Sequence, residues 1–482
     1  MRRIVTSLIL IVFSLSWTVP TARAYTLQYA DKSSALRIKW PSSTIKIALS
    51  KSLNAPPSNI KEGSDVQGAV RRALARWSRA SNITFIETSS DTVSISPSGN
   101  GDGISLITVA DTPENRAAFD NADRTGRTRV FYDTAMGAIT EADVVVNPAA
   151  RFSTDGTLGT YDLETTFTHE IGHVLGLDHS SEAGSVMQPH QGINGLYEQA
   201  AVSARTLSDD DRAGVRALYG SPEGFGAITG KVGDITGSPA ASTHVWAEEV
   251  QTGKVVAGNS TLPDGSYSLE GLPPGEYRLV AESENDHADV KGMASGLVPG
   301  TRLDDSATAS HVAEIQTEIR VTAGANVHQD IPLDKKGLTL KPQLFGTNGH
   351  LSTIAVPLAQ GKRYTIFVGG EGLDELHGDG ITVTSPFIKV DPSSLTLQAG
   401  VNYNHPIISF DIEVSPAAPL GDYSIRLQSR TGEVAYISGG LTVDAANGVA
   451  DADAEVDNDE AILCALGIND NLLDIFSASY NL

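Results

Sequence analysis

The sequence predicts a multidomain chain: an α+β domain with one ligand-bearing helix, then two β-sandwich domains. Three observations carry this expectation. Residues 169–179 read HEIGHVLGLDH, with apolar residues at helical spacing. From about Gly226 the pattern becomes short alternating strands separated by Gly and Pro turns. The 482 residues also exceed what one hydrophobic core ordinarily serves, which suggests about three domains.

His169 and His173 stand four apart on the helix, so both imidazoles leave one face and can hold one metal ion. Glu170 lies beside that position rather than on it, where a base for the metal-activated water belongs. Gly176 follows Leu175 where the helical spacing stops. A left-handed glycine there turns the chain and returns His179 as a third ligand. Three neutral nitrogens leave a fourth position for water, the arrangement of a catalytic rather than a closed structural zinc site. The competing reading is a pair of partly buried histidines or a decayed site. The ordered Glu, Gly and third His, with Met187 in SVMQP eight residues later, argue against it.

HExxHxxGxxH with a later Met is the metzincin signature, and this stretch resembles the matrixin branch, the matrix metalloproteinase-like peptidases. Ser180 after the third His, Met187 with Pro189, and LSDDDRAGVRALYG at 207–220 carry the likeness, which extends loosely back to Tyr25. The resemblance implies an α+β metzincin catalytic domain with a twisted mixed sheet, an edge strand and an active-site helix, zinc on His169, His173 and His179, Glu170 as general base, and Met187 as the Met-turn beneath the metal. It also implies that residues 190–206 wall the pocket for the residue after the scissile bond. Asp210 and Asp211 resemble the acidic pair that receives a mature N-terminal ammonium, a role that helix capping explains equally well. Animal matrixins are held latent by a propeptide cysteine; here the single cysteine is Cys464, so that device is not expected.

A net charge of −23 argues against nucleic acid or an anionic membrane as partner, because both demand a basic face. One cysteine excludes an intrachain disulfide framework. Residues 1–24 read as a secretory signal, with Arg2 and Arg3 before an apolar run and Ala22-Arg23-Ala24 as the cleavage site. The expected destination is extracellular, with a place at the cell surface or in an extracellular matrix as variants.

The domain at 25–221 opens with strand-like IKWPSSTIKIALS. A helix is expected from about Ser64 to Ser78, capped by Ser64 with Gln67, with Trp77 anchoring it to the core. Ile104–Val109 and RTRVFYD at 127–133 compete for the sheet edge along which an extended substrate would lie. Asp162 is expected to cap the active helix, and Ser208 with Asp211 the last one. Calcium is left unplaced: Asp102, Asp111, Asp123 and Asp155 are available loop carboxylates, but scattered ones define no cage.

Residues 222–335 resemble the carboxypeptidase regulatory-like, transthyretin-like sandwich, on GLPPGEYRL and on VTAGANVHQDIPL at 321–333. Residues 336–445 alternate as an immunoglobulin-like sandwich that resembles TIG-type modules. The tail at 446–482 is an acidic linker followed by an apolar end containing Cys464.

These readings point to a secreted zinc metalloendopeptidase that cleaves internal bonds of extended protein or peptide substrates. The β modules are expected to bring a surface, carbohydrate or protein partner. The main alternative is a secreted adhesion or binding protein whose peptidase domain is vestigial or only self-processing. The intact base and ligand set weigh against that alternative.

Overall fold

The computed structural model describes residues 27–30, 36–99, 101–119, 124–198, 205–220, 223–234, 236–283, 312–333, 339–398 and 405–444. The expected signal at 1–24, Asp123 and the tail from 446 with Cys464 therefore lie outside the described residues.

Alternating apolar residues build five strands in the first part of the chain. They are β1 (Thr44–Ser50), β2 (Thr84–Ser90), β3 (Leu106–Thr108), β4 (Gly126–Asp133) and β5 (Ala138–Val146), in the order β2-β1-β3-β5-β4. β1 runs parallel to β2 and β3, β3 parallel to β5, and β4 antiparallel to β5, which makes the sheet mixed. Of the two candidates for the edge, the structure selects β4. β3 is three buried residues paired on both sides, and Asp143 on β5 accepts the Leu106 amide at 2.9 Å.

Helix α1 (Val66–Ala80) buries Val66, Ala69, Val70, Ala73, Leu74 and Trp77 along one stripe. Its cap is Asp65, whose carboxylate accepts the Gly68 amide at 3.0 Å. The expected Ser64–Gln67 box does not form, because Gln67 turns to donate to Asn54 at 2.6 Å. A carboxylate is at least as good an N-cap as the neighbouring hydroxyl, and sequence spacing alone leaves the two adjacent residues equivalent. A one-turn helix α2 (Pro113–Arg116), capped by Thr112, precedes β4. The short parallel pair β6 (Phe152–Ser153) and β7 (Tyr161–Asp162) then feeds α3 (Leu163–Val174). Trp77 fastens α1 to α3 by donating its indole N–H to the Thr168 carbonyl at 2.8 Å.

Helix α4 (Asp209–Tyr219) carries the expected capping box of Ser208 and Asp211. The next eight strands are β8 (Gly226–Asp234), β9 (Thr243–Glu249), β10 (Val255–Ser260), β11 (Ser266–Leu272), β12 (Gly275–Ser283), β13 (Val312–Val321), β14 (Asn326–His328) and β15 (Ile331–Leu333). The helix packs on two of them, β10 and β11, and one apolar core runs from Leu27 through α4 into those strands. The eight form the sheets β10-β9-β12-β13 and β11-β8-β14, with β15 continuing beside β8. The stretch 321–333 thus holds the end of β13 and two short strands, β14 and β15.

The third unit comprises β16 (Lys341–Thr347), β17 (Val356–Ala359), β18 (Arg363–Glu371), β19 (Leu376–Val383), β20 (Ile388–Gln398), β21 (Ile407–Val414), β22 (Gly421–Ser429) and β23 (Val434–Asp444). Its sheets β16-β18-β21-β20 and β17-β23-β22-β19 share one apolar core, so it is a sandwich. In both β units a tyrosine hydroxyl reaches back four residues to a proline carbonyl at 2.6 Å, Tyr277 to Pro273 and Tyr423 to Pro419. These are tyrosine corners that fix the strand entry.

Buried acids gather where the three units meet. Glu182 accepts from Ser438 at 2.6 Å and lies 3.4 Å from His244, while Asp210 accepts the Gly258 amide at 2.7 Å. Burial raises the carboxyls of Asp210 and Asp422 well above their ordinary value, and Glu182 adds repulsion to both. Burial likewise lifts Glu248 to about 7 and Asp143 to about 6. An acid raised in the folded state holds a proton that the unfolded chain has already released. Its contribution is complete below the unfolded value and lost as pH rises through the folded one. The unfolding midpoint is therefore expected to rise as pH falls from about 8 to about 6.5, through the value of Glu248. Thermal unfolding at the two pH values checks this, and an equal or lower midpoint at the acidic one would overturn it.

Candidate active site

Asp162 ends β7 and caps α3, its carboxylate accepting the Thr165 amide at 2.9 Å, as expected. The apolar face of Leu163, Phe167, Ile171 and Val174 is fully buried. That orientation sends His169 and His173 to the opposite side, with Glu170 between them in sequence. The helix closes in a Schellman motif: the Leu177 amide donates to the Gly172 carbonyl, and the Gly176 amide to that of His173, each at 3.0 Å. Gly176 takes φ +93°, and a Cβ there would meet the Ile38 carbonyl at 2.3 Å. This turn brings His179 back beside the other two histidines.

The three imidazoles lie with ring centroids 4.7, 5.3 and 4.9 Å apart. Their ligating nitrogens all fall within 4.8 Å of one another, and this is the one such metal-holding group among the described residues. Nδ1 of His169 pairs with the Val186 carbonyl at 2.7 Å and Nδ1 of His173 with that of Leu177 at 2.8 Å, so each presents Nε2 inward. Burial lowers all three imidazoles. Neighbouring imidazole charge adds to the effect at His169 and His179, and His179 falls well below its ordinary value. They therefore stay neutral, the form that binds metal. An all-imidazole donor set with three members fits zinc with an open fourth position.

Glu170 is 4% exposed. Burial raises its carboxyl, while His169 and the hydroxyl of Thr128 pull the other way. Thr128, on the edge strand β4, donates to Oε2 at 2.5 Å. Gly126 lies on the same strand, and a Cβ there would come within 2.5 Å of Oε1. Sequence reasoning missed both residues; they sit 42 and 44 positions from Glu170, and only the choice of β4 as edge could have pointed to them.

Met187 is fully buried under the site. Its sulfur occupies the space a side chain at Gly172 would need, 2.2 Å from a Cβ at that position. Asp211 holds this turn, accepting from Ser185 at 2.6 Å and from the Val186 amide at 2.9 Å. Asp210 accepts from Ser180 at 2.7 Å. The acidic pair singled out in the sequence is thus engaged with the turn and with β10. Trp77 is a core anchor, as expected.

The three calcium candidates among the described residues, Asp102, Asp111 and Asp155, do not gather into one site. Asp155 pairs with Lys61, Asp111 with Arg116 at 2.5 Å, and Asp102 accepts the Ile104 amide of its own turn at 2.8 Å.

The family model described as Matrixin matches residues 39–220, and the model for the carboxypeptidase regulatory-like domain matches residues 227–334. Hatching enzyme of Paracentrotus lividus is 31% identical over 170 residues, 34% of this chain and 24% of that protein. Metalloendoproteinase 1-MMP of Arabidopsis thaliana is 31% identical over 191 residues, 38% of this chain and 44% of that one. Matrix metalloproteinase-15 of Homo sapiens is 30% identical over 156 residues, 32% and 22% respectively. The chain thus spans less than half the length of these curated relatives. Among solved structures, the major pilin subunit BcpA of Bacillus cereus is similar at 12% identity and a TM-score of 0.14, covering 46% of this chain and 67% of that one.

Proposed function

Because the chain carries a matrixin domain at residues 39–220 followed by a carboxypeptidase regulatory-like domain at 227–334, we propose that it is a zinc-dependent metalloendopeptidase. The observation that carries this reading is the convergence of His169, His173 and His179 beside a buried Glu170. Zinc held there supplies Lewis acidity toward the scissile carbonyl and makes water acidic enough to give up a proton near neutral pH.

Glu170 takes that proton at its carboxylate as water adds to the carbonyl carbon, and returns it to the amine as the C–N bond breaks. Thr128 orients the carboxylate through Oε2, which leaves Oε1 for the water. The edge strand β4 offers its unpaired side to an extended chain, so internal bonds of extended proteins or peptides are the substrate class. Secretion follows from the basic, apolar and small-residue pattern of Arg2–Ala24, and among the described residues no helix is long and apolar enough to cross a membrane. The β units would carry the enzyme to its surface or protein partner, a role argued from their architecture.

Chelation tests the reading. Protein lacking residues 1–24 is expected to contain one zinc ion and to cut a mixed denatured-protein substrate. It should lose that activity in a strong chelator and regain it with zinc. Cleavage that persists without metal, or protein that takes up no zinc, would overturn the assignment.

A further inference from the structure

The segment after Met187 is held at its two ends by different units. At its start it is lashed to the active helix: Thr166, one turn before His169, donates to Gln191 at 2.8 Å, and Gln191 donates to the Asp162 carbonyl at 2.8 Å. The Asn194 amide and carbonyl pair with Thr160 and Gly159 at 2.8 and 2.9 Å. At its far end it leaves the matrixin domain. Tyr197 enters the core of the third unit, 1% exposed and 148 residues or more from its hydroxyl partners. That hydroxyl donates to the Ile354 carbonyl at 2.7 Å and lies 2.5 Å from Ser352 Oγ. Asn348 donates to the Tyr197 carbonyl at 3.0 Å. Tyr197 and Glu198 take φ of 57° and 61°, a conformation that L-residues other than Asn and Asp rarely adopt and that persists where the surroundings impose it.

This segment borders the site. It begins one residue after Met187, whose neighbour Val186 holds Nδ1 of His169 through its carbonyl at 2.7 Å. Gln191 bonds to Thr166 and to the Asp162 carbonyl, so the segment is fixed to the same helix that carries His169 and Glu170.

We propose that the third unit is a working part of the substrate cleft, with Tyr197 as a positioning residue that fixes the 188–198 wall and so sets which side chain is accepted beside the scissile bond. The inference rests on the peptidase reading above and extends it from the zinc site to substrate selection. The third unit then controls specificity without contributing a group to the chemistry.

The test uses zinc-loaded protein of the full chain after Ala24, with Tyr197→Phe and Asn348→Gly as variants. The first removes only the hydroxyl. The second keeps the left-handed turn at residue 348 (φ 54°) and removes the bond to Tyr197. Cut sites in a peptide mixture are read, then kcat and KM for two peptides differing only at the residue after the cut. Both variants are expected to keep zinc and kcat within about threefold while the preference between the two peptides falls about tenfold through KM, a loss of 1.4 kcal/mol in discrimination. If Tyr197→Phe loosens the third unit, seen as a new early unfolding transition, Asn348→Gly decides. Wild-type cleavage with unchanged sites and ratios in the decisive variant would overturn this inference alone. Wild-type protein that holds zinc and cuts nothing would overturn the peptidase reading and this inference with it.

Discussion

Glu170→Gln is expected to leave zinc in place and to lower kcat about 10²- to 10⁴-fold, the range that a positioned base contributes. The substitution keeps the shape. Thr128 can still donate to the amide oxygen, and the space opposite Gly126 stays the same size. What disappears is a group able to take a proton from water and deliver it to the leaving amine. The carboxylate is not one of the three grouped ligands, so metal affinity should be nearly untouched. Zinc content by elemental analysis beside steady-state kinetics separates the two effects. Turnover within about threefold of wild type would mean that the proton goes elsewhere, and loss of zinc would mean that Glu170 is a ligand.

The ligands could be read in the sequence because helix geometry converts a four-residue spacing into proximity, and one left-handed glycine supplies the return. All of those residues lie within 11 positions, 169–179. The caps at Asp162 and Ser208 were legible for the same local reason. The edge strand was not, because Ile104–Val109 and 127–133 alternate equally well, and only pairing with β1 and β5 makes the first of them internal. Thr128 and Gly126 were hidden behind that ambiguity. Tyr197 lay deeper still. An aromatic residue in an open, Gly-rich stretch gives no local sign that its hydroxyl will be buried against residues 345–354. The same limit applies to Asp210 and Asp211, whose place in a helix cap is local but whose hold on the Met187 turn and on β10 is not.

Glu164→Gln is expected to destabilise the protein by about 3–5 kcal/mol, the cost of breaking a buried ion pair from one side. Glu164 is fully buried in the first turn of α3, facing Arg76 at 2.5 Å, Arg72 at 2.8 Å and Arg205 at 3.8 Å. Burial alone would raise its carboxyl, yet Arg76, Arg205 and Arg72 together hold it below the ordinary carboxylate value. Removing its charge strands Arg76, itself 7% exposed, without its anion. Arg205 keeps Asp162 at 2.5 Å, and Arg72 keeps Asp65 at 2.8 Å, so the damage should centre on Arg76 and the contact of α1 with α3. That contact fixes the helix carrying His169 and Glu170, and zinc binding should stabilise the variant less than wild type if the helix loosens, because the apparent affinity for zinc falls with the binding-competent fraction. Denaturant unfolding with and without zinc measures both quantities. A loss below about 1 kcal/mol would show that the arginines find water or other partners at little cost, and that the network does not hold α3 in place.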